Sequence, residues 1–328
     1  MKLPRRKFLH LAATVVLLTF LDAALANHGA WSQTTRNIKL VVPFPPGGGT
    51  DILARLLAEQ IGRAQGPTMV VENRPGAGTI IATEAASRAV PDGNTVLMMA
   101  NSFVINPNLK RLNYDPLTSF EPICFLTRSP NVLIVNTSSP YRAVADLLNA
   151  ARAKPGTLTL ASVGPATTQH IAIEVLKHVA NVNMIYVPYP GDAPAVGALL
   201  GEHVTSAMVT YPAAAEQLKA GKLRALATAS RSRIEPLPDV PTVAESGYQE
   251  YEADTWYGVV APAKTPAETI SQLAGWFSSA VQATETKPKL IAQGHFPVAI
   301  CGADFAAHLR KQYENYGRVI REANIKAE

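Results

Sequence analysis

The sequence predicts an α/β fold in which mainly parallel sheets are flanked by helices. Short apolar runs alternate with helical patterns along most of the chain, beginning with a strand at 38–42 and a helix at 51–63. Turns rich in glycine, proline and hydroxyl residues stand where a strand pattern ends and a helical pattern starts. Two connections, at 127–131 and 252–257, are candidate hinges between two lobes. If the chain leaves the first lobe and later returns to it, a cleft lies between the lobes.

Each expected strand is a short run of mostly apolar residues, and each expected helix places apolar residues three and four positions apart. After the first pair, strands are expected at 69–72, 95–100 and 132–135, the last followed by a helix at 143–153. The next pairs are 157–161 with 168–180, 183–187 with 193–201, and 204–209 with 213–221, and further strands are expected at 224–229 and 257–260. From this order we predict one lobe at 33–129 plus 257–328 and a second at 130–256.

The N-terminus reads as an export signal at residues 1–26. Basic residues between positions 2 and 7 precede an apolar stretch at 8–21, and the small residues at 24–26 fit a cleavage site. The paired arginines at 5–6 resemble a twin-arginine signal, and an ordinary secretory signal explains them equally simply. The sequence therefore predicts an exported protein and leaves the export route open.

Charge and cysteine content exclude some classes of function. The formal net charge is +5 at pH 7, and +3 of it lies in the predicted signal, which leaves +2 for the rest. No basic cluster interleaved with aromatic residues is present, so nucleic acid is not an expected partner. Cys124 and Cys301 are the two cysteines, and either a disulfide or two buried thiols is compatible with the sequence.

The turn at residues 43–51 is the most informative motif. Three prolines and the glycines Gly47 to Gly49 separate an apolar run from a helical pattern, so free backbone amides of the first helical turn favour an anion there. The turn is not a P-loop, because it lacks the Gly-Lys-Ser/Thr ending, and it lacks the later glycine of a dinucleotide fingerprint. The alternative is a plain turn in which Thr50 or Asp51 caps the helix.

Two further junctions have the same character. Residues 162–170 offer hydroxyls and open amides before a helix, and residues 189–194 form a third strand–turn–helix sequence. Asp192 either caps its own helix or faces the cleft, where it would repel an anion and welcome an ammonium or hydroxyl group. His170 begins a stripe with acidic and histidine residues at helical spacing, for which a solvated face is favoured over a metal site.

The sequence gives little support for catalysis. No Gly-x-Ser-x-Gly elbow is present, and no pair of acids has a spacing that demands acid–base chemistry. An exported serine hydrolase using Ser162 and His170 is a remote alternative. We therefore expect a binding protein without enzymatic activity, cofactor or metal.

Residues 37–320 resemble the Bug-type (tripartite tricarboxylate transporter) periplasmic substrate-binding receptors. The resemblance rests on segments that occur in the family's order: VVPFPPGGGTDILARLLAEQI, VVENRPGAGTIIATEAASRAVPDGNTVLM, LASVGPATTQHIAIEVL, VPYPGDAPAVGALLGEHV and WYGVVAPAKTPAETISQL. It implies a monomeric, two-lobed, flytrap-like protein of the periplasm. Its expected ligand is a small organic carboxylate, such as a dicarboxylate, an aromatic acid or an amino acid. Its expected partners are the large and small integral-membrane subunits of a transporter.

The resemblance also implies which residues bind the ligand. In the first lobe they are Pro45, Gly47, Gly48, Thr50 and Asp51, with Asn101 and Ser102 from the end of a neighbouring strand. In the second lobe they are Ser162, Gly164, Thr167, Thr168, His170, Tyr189, Gly191, Asp192 and Ala193.

Some positions depart from the family pattern. Pro190 and Asp192 replace a commonly basic residue and a small residue, and Thr79 stands where glycine is common. An acid is frequent after the strand that ends near residue 208, where Val209 and Thr210 occur here. These differences affect the identity of the ligand more than the fold. A receptor that presents its ligand to a sensor kinase is the alternative function.

Overall fold

The computed structural model describes residues 37–64, 66–249, 251–322 and 325–326, so the predicted signal at 1–26 lies outside the described residues. The strands are β1 (Asn37–Val42), β2 (Thr68–Asn73), β3 (Thr95–Ala100), β4 (Phe120–Asn136), β5 (Thr159–Val163), β6 (Ile185–Tyr189), β7 (Ser206–Thr210), β8 (Leu223–Thr228), β9 (Asp254–Pro262) and β10 (Phe296–Cys301). The helices are α1 (Gly49–Arg63), α2 (Ile80–Ser87), α3 (Ser102–Leu109), α4 (Val144–Ala153), α5 (Thr168–Ala180), α6 (Asp192–Leu200), α7 (Tyr211–Lys219), α8 (Ala267–Gln282), α9 (Lys287–Ala292) and α10 (Ala303–Glu322).

A first sheet is built around β1. Strands β2 and β3 flank β1 in parallel, and β9 pairs with β3 in the antiparallel direction. The first part of β4 then pairs with β9 on one side and with β10 on the other, again antiparallel. The carboxyl ends of β1 and β3 therefore lie at one edge, where the turns after them meet.

A second sheet repeats the pattern around β5. Strands β6 and β7 flank β5 in parallel, and the last part of β4 pairs antiparallel with β7 and β8. The predicted α/β class is confirmed. The sheets are mixed rather than mainly parallel, because the long strands β4 and β9 run against their neighbours.

Strand β4 belongs to both sheets. Its residues up to Pro130 pair with β9, and its residues from Asn131 pair with β7. The chain returns at Asp254, where β9 begins opposite Pro130. Asn131 fastens this crossing, since its side-chain amide donates to the Ala253 carbonyl at 2.6 Å. Both crossings fall within the segments expected to be hinges, while the lobe boundaries themselves stay a prediction.

Apolar residues cover both faces of each sheet. In the first sheet Leu40 packs with Leu53 of α1 and Phe277 of α8, and the other face buries a cluster that includes Phe103. The second sheet is covered in the same way by α4 and α5 on one face and by α6 and α7 on the other. This burial supplies the main driving force for folding and leaves the strand ends to carry polar turns.

A disulfide between Cys124 and Cys301 joins β4 to β10 at a position where the two strands are paired. The structure therefore decides between the two possibilities that the sequence left open. Across the described ranges, none of the helices is both long and apolar enough to pass through a membrane.

Candidate functional site

Five helices begin around one small cavity between the two sheets. Helices α1 and α3 start there from the first sheet, and α5, α6 and α7 start there from the second. The cavity has a volume of about 20 Å³, which admits roughly one water molecule. Its lining residues are Phe44, Gly48, Gly49, Thr50, Ala100, Asn101, Ser102, Val163, Thr167, Thr168, Gln169, Asp192, Thr210, Thr255 and Tyr257. An organic acid would fit only if the two sides move apart.

The glycine-rich turn is held by Asp51, a buried residue in the first turn of α1. The Asp51 carboxylate accepts the Gly47 amide at 3.0 Å and hydrogen bonds from Arg55 and Asn73. Burial raises the pKa of Asp51, and these hydrogen bonds more than offset that effect, so its pKa is lowered. Gly47 has a φ of +83°, a backbone conformation that favours glycine. Asp51 thus shapes the turn and is not among the cavity-lining residues.

Gly49 lies where the backbone must approach the opposite sheet. A Cβ atom added there would lie 2.8 Å from Oγ1 of Thr210 in the second sheet, and 2.6 Å from the hydroxyl of Tyr257 in the first sheet. At Gly48 the nearest atom to an added Cβ would be Asp192 Cβ at 3.8 Å, which is an ordinary contact. The first helical turn of α1 therefore faces the second sheet directly through Gly49.

Asp192 carries the acidic side chain of the cavity lining. Its carboxylate accepts the Thr210 hydroxyl at 2.7 Å, the Thr210 amide at 3.3 Å and the Gln169 side-chain amide at 3.5 Å. Burial raises its pKa to about 6, although the Thr210 bonds and the Gly49 amide lower it in part. Of the two alternatives, Asp192 does not cap its own helix, because the extended Gly191 holds the N-cap position and the Asp192 carboxylate is bonded to Thr210.

Asn101 fixes the start of α3. Its side-chain oxygen accepts the Trp256 amide at 2.9 Å, and its nitrogen donates to the Tyr316 hydroxyl at 2.7 Å. Tyr316, from α10, also has a hydrogen bond with Thr168 at the start of α5. Ser102 accepts the Thr79 hydroxyl at 3.2 Å. The first sheet thereby contributes a polar wall that contacts the second.

Thr167 caps α5, as its hydroxyl accepts the His170 amide at 3.3 Å and donates to the Gly164 carbonyl at 2.9 Å. Ser162 is buried and donates to the Val163 carbonyl at 2.9 Å. The His170 ring is buried against Tyr186, at 4.8 Å between ring centroids. These contacts give Ser162 and His170 places in the packing of the second sheet.

The remaining predicted residues meet across the closed interface. A Cβ on Gly191 would lie 2.9 Å from the Pro45 ring, and one on Gly47 would lie 3.4 Å from Ala193 Cβ. Tyr189 and Gly164 contact each other within the second sheet's side instead, where a Cβ added to Gly164 would lie 3.6 Å from the Tyr189 carbonyl oxygen. Seven of the sixteen predicted residues line the cavity: Gly48, Thr50, Asn101, Ser102, Thr167, Thr168 and Asp192. The others surround it or lie behind it.

The sequence prediction missed several lining residues: Phe44, Gly49, Ala100, Val163, Gln169, Thr210, Thr255 and Tyr257. Thr210 had a usable signal, because it ends a strand and precedes a helix as the predicted turns do. Tyr257 had no such sequence signal, since it lies inside an apolar strand pattern. It reaches the cavity only because β9 begins where the chain crosses between the two sheets. Thr210 and Asp192, two of the departures from the family pattern, are hydrogen-bonded to each other.

The cavity lining contains no lysine, arginine or histidine. In the described part of the chain, no group of three or more His, Cys, Asp or Glu side chains is arranged to hold a metal ion. Four larger cavities, of about 360 to 1060 Å³, are more open to solvent, and the largest of them adjoins the small cavity at Asn101. The small cavity is distinguished by the number of helix N-termini that meet there, whose free amides favour a negative charge.

The chain is similar to one protein family and to several proteins of known structure. The family model described as tripartite tricarboxylate transporter family receptor matches residues 53–325. Protein BugT of Bordetella pertussis is 34% identical over 296 residues, which cover 89% of this chain and 90% of BugT. The structure of periplasmic binding protein BugD has 31% identity, a TM-score of 0.85, and coverage of 89% and 99%. A Rhodopseudomonas palustris protein solved with adipate has 32% identity, a TM-score of 0.86, and the same coverage.

Proposed function

Because this chain belongs to the tripartite tricarboxylate transporter receptor family, we propose that it is a periplasmic receptor for a small organic carboxylate. The receptor binds its ligand between two lobes, with residues 33–129 and 257–328 in one and residues 130–256 in the other. It then delivers the ligand to the large and small membrane subunits of a tricarboxylate-type transporter. The chain acts as a monomer and reaches the periplasm through its N-terminal signal.

The convergence of five helix N-termini on one cavity without a basic side chain is the observation that supports this proposal most. A carboxylate transferred out of water needs several hydrogen-bond donors, and the free amides of a helix start supply them with little loss of side-chain entropy. The first lobe contributes amides at Gly49 and Thr50, and the second contributes them at Thr168 and Gln169. Closure of the lobes would surround the ligand with donors from both sides.

The family and its structural relatives are binding proteins. We propose that this chain has no catalytic activity either. The Ser162 hydroxyl donates to the backbone of its neighbour Val163, which is a structural role and not that of an activated nucleophile. Hydrolysis of ester substrates that disappears in a Ser162→Ala variant would contradict this part of the proposal.

A thermal-unfolding screen of organic acids tests the binding function. Native-state binding raises the free energy of unfolding by about 2.7 kcal/mol when the ligand is present at 100 times its dissociation constant. We expect one or a few acids to raise the melting temperature, and their neutral amides to have no effect. A broad panel of acids that leaves the melting temperature unchanged would contradict the proposal.

Delivery to a transporter requires a separate measurement. Vesicles that contain the two membrane subunits should accumulate the stabilising acid only when the receptor is added. Equal accumulation with and without the receptor would contradict delivery while leaving ligand binding intact.

A further inference from the structure

Resting on the proposed receptor function, we propose that Asp192 makes the site select acids that carry one carboxylate and a distal hydrogen-bond donor, an ammonium or a hydroxyl group, over dicarboxylates. The cavity lining contains a single ionisable acid and no side-chain cation. A dicarboxylate would bring two further negative charges into a space with no positive side chain.

The position of Asp192 disfavours the entry of a second anion. A Cβ on Gly48 would lie 3.9 Å from Asp192 Oδ2, and the Gly49 amide hydrogen-bonds to the Asp192 carboxylate. The second lobe therefore places its own carboxylate beside the helix start of the first lobe. A ligand carboxylate that takes the Gly49 amide must displace Asp192 from it, and a second carboxylate that faces Asp192 would meet a charge of the same sign.

With the Gly49 amide counted, Asp192 accepts four hydrogen bonds in the closed form. A carboxylate accepts about four hydrogen bonds. Here the bond from the Thr210 hydroxyl is short, at 2.7 Å, whereas those from the Thr210 amide and Gln169 are long, at 3.3 and 3.5 Å. When the lobes separate to admit a ligand, the donor from Gly49 is withdrawn. An ammonium or hydroxyl group on the ligand can take its place.

Asp51, in the same region, is an acid whose charge is paired within the protein. Its carboxylate pairs with Arg55 and accepts hydrogen bonds from Asn73 and the Gly47 amide. Asp192 is equally buried and has no such cation, in keeping with its raised pKa. The charge of Asp192 is therefore available to a ligand, while that of Asp51 is committed to the turn.

The test uses three series of straight-chain acids with four, five and six carbons. Each acid has a carboxylate at one end and an ammonium, a hydroxyl or a second carboxylate at the other, from 4-aminobutanoate, 4-hydroxybutanoate and succinate to their six-carbon counterparts. Dissociation constants are measured by calorimetry at pH 7.5 for the wild type and for Asp192→Asn. Asp254→Asn is the matched control, because Asp254 is a mostly buried acid whose pKa is also raised to about 6, and it does not line the cavity.

We expect the wild type to bind an amino or hydroxy acid at least about tenfold more tightly than the dicarboxylate of the same length. In Asp192→Asn this ratio should fall about tenfold or more, and in Asp254→Asn it should stay within threefold of the wild type. If Asp192→Asn does not fold, Asp192→Ser replaces it, and the wild-type ranking tests the inference without any variant.

A wild-type preference for dicarboxylates, or an unchanged ratio in Asp192→Asn, would overturn this inference and leave the receptor function standing. Failure of all three series to bind the wild type would overturn it as well. Failure of every acid in the broader thermal screen would instead overturn the receptor function itself.

Discussion

Asp51 and Asp192 both lie in the first turn of a helix at the candidate site, but their surroundings shift their pKa values in opposite directions. Asp51 is held by Arg55, Asn73 and the Gly47 amide, which outweigh burial and lower its pKa. Asp192 is buried beside Thr210 without a cation, and its pKa rises to about 6. The comparison indicates that the first turn uses its acid to build a rigid loop, while the second turn presents its acid to the cavity.

Removal of the Asp51 carboxylate should have the largest effect on stability. Asp51→Ala leaves the Gly47 amide without its acceptor and Asn73 with only the Phe44 carbonyl, so we expect a loss of about 2–4 kcal/mol in the free energy of unfolding. Denaturant unfolding measures the loss. A change below about 0.5 kcal/mol would mean that the turn does not depend on Asp51 and would break the comparison.

The pH dependence of stability should separate the two acids next. An acid with a raised pKa favours the folded state below its unfolded pKa of 3.8, and this contribution is lost as the pH rises through about 6. Between pH 4 and pH 7 we therefore expect the wild type to lose up to about 3 kcal/mol relative to Asp192→Asn. Denaturant unfolding at several pH values gives this difference.

Subtracting the stability of Asp192→Asn from that of the wild type at each pH removes the contribution of other buried titratable groups. Burial raises the pKa of Asp254 to about 6 and lowers the pKa of His295 to about 3, and both groups are present in the two proteins compared. Parallel pH profiles for the wild type and Asp192→Asn would contradict the description of Asp192 as a buried acid with a raised pKa and no neighbouring cation.

A third prediction concerns the contact between the two sides of the cavity. In Gly49→Ala the new Cβ would meet Thr210 Oγ1 across the cavity and the Tyr257 hydroxyl on its own side, so closure should weaken by about 1–3 kcal/mol, or about 5- to 150-fold in ligand affinity. Gly62→Ala, in the same helix and away from the cavity, is the control, since a Cβ added there would have no atom within 4 Å. Calorimetry with the acid found by thermal screening compares the two. Equal affinities would show that this approach does not limit closure.

Arg55→Ala should have the smallest effect. Its side chain is half exposed and its ion pair with Asp51 is screened, so we expect a loss of about 1 kcal/mol or less in the free energy of unfolding. The Gly47 and Asn73 hydrogen bonds remain in this variant. A loss as large as that of Asp51→Ala would show that the ion pair, and not the backbone contact, holds the turn.

Sequence patterns predicted the α/β class and the strand–turn–helix junctions, because each depends on residues close together in the chain. The strand expected at 95–100 matches β3, and the glycine-rich turn leads into α1 as expected. The order of the strands and the dual role of β4 depend on pairings between distant segments. The disulfide also could not be predicted from local patterns, since Cys301 reaches Cys124 only when β10 pairs with β4.

The sequence predicted only part of the candidate site, because some of its residues meet only through pairings between distant segments. Gly48, Thr50 and Thr168 follow from local turn chemistry, whereas Tyr257 reaches the cavity through the strand crossing. The role of Asp192 depended on which residue takes the N-cap of α6. With Gly191 in that position, the Asp192 carboxylate turns toward Thr210, and no local pattern could distinguish the two outcomes.

Amide spectra of protein labelled with ¹⁵N-glycine test the central claim most directly, that backbone amides of facing helix starts bind the carboxylate. During titration with the acid found by thermal screening, we predict that the resonances of Gly48 and Gly49 shift together, with the dissociation constant measured by calorimetry. Glycines far from the cavity, such as Gly275 within α8, should not shift. Saturable binding that leaves Gly48 and Gly49 unchanged would contradict the account.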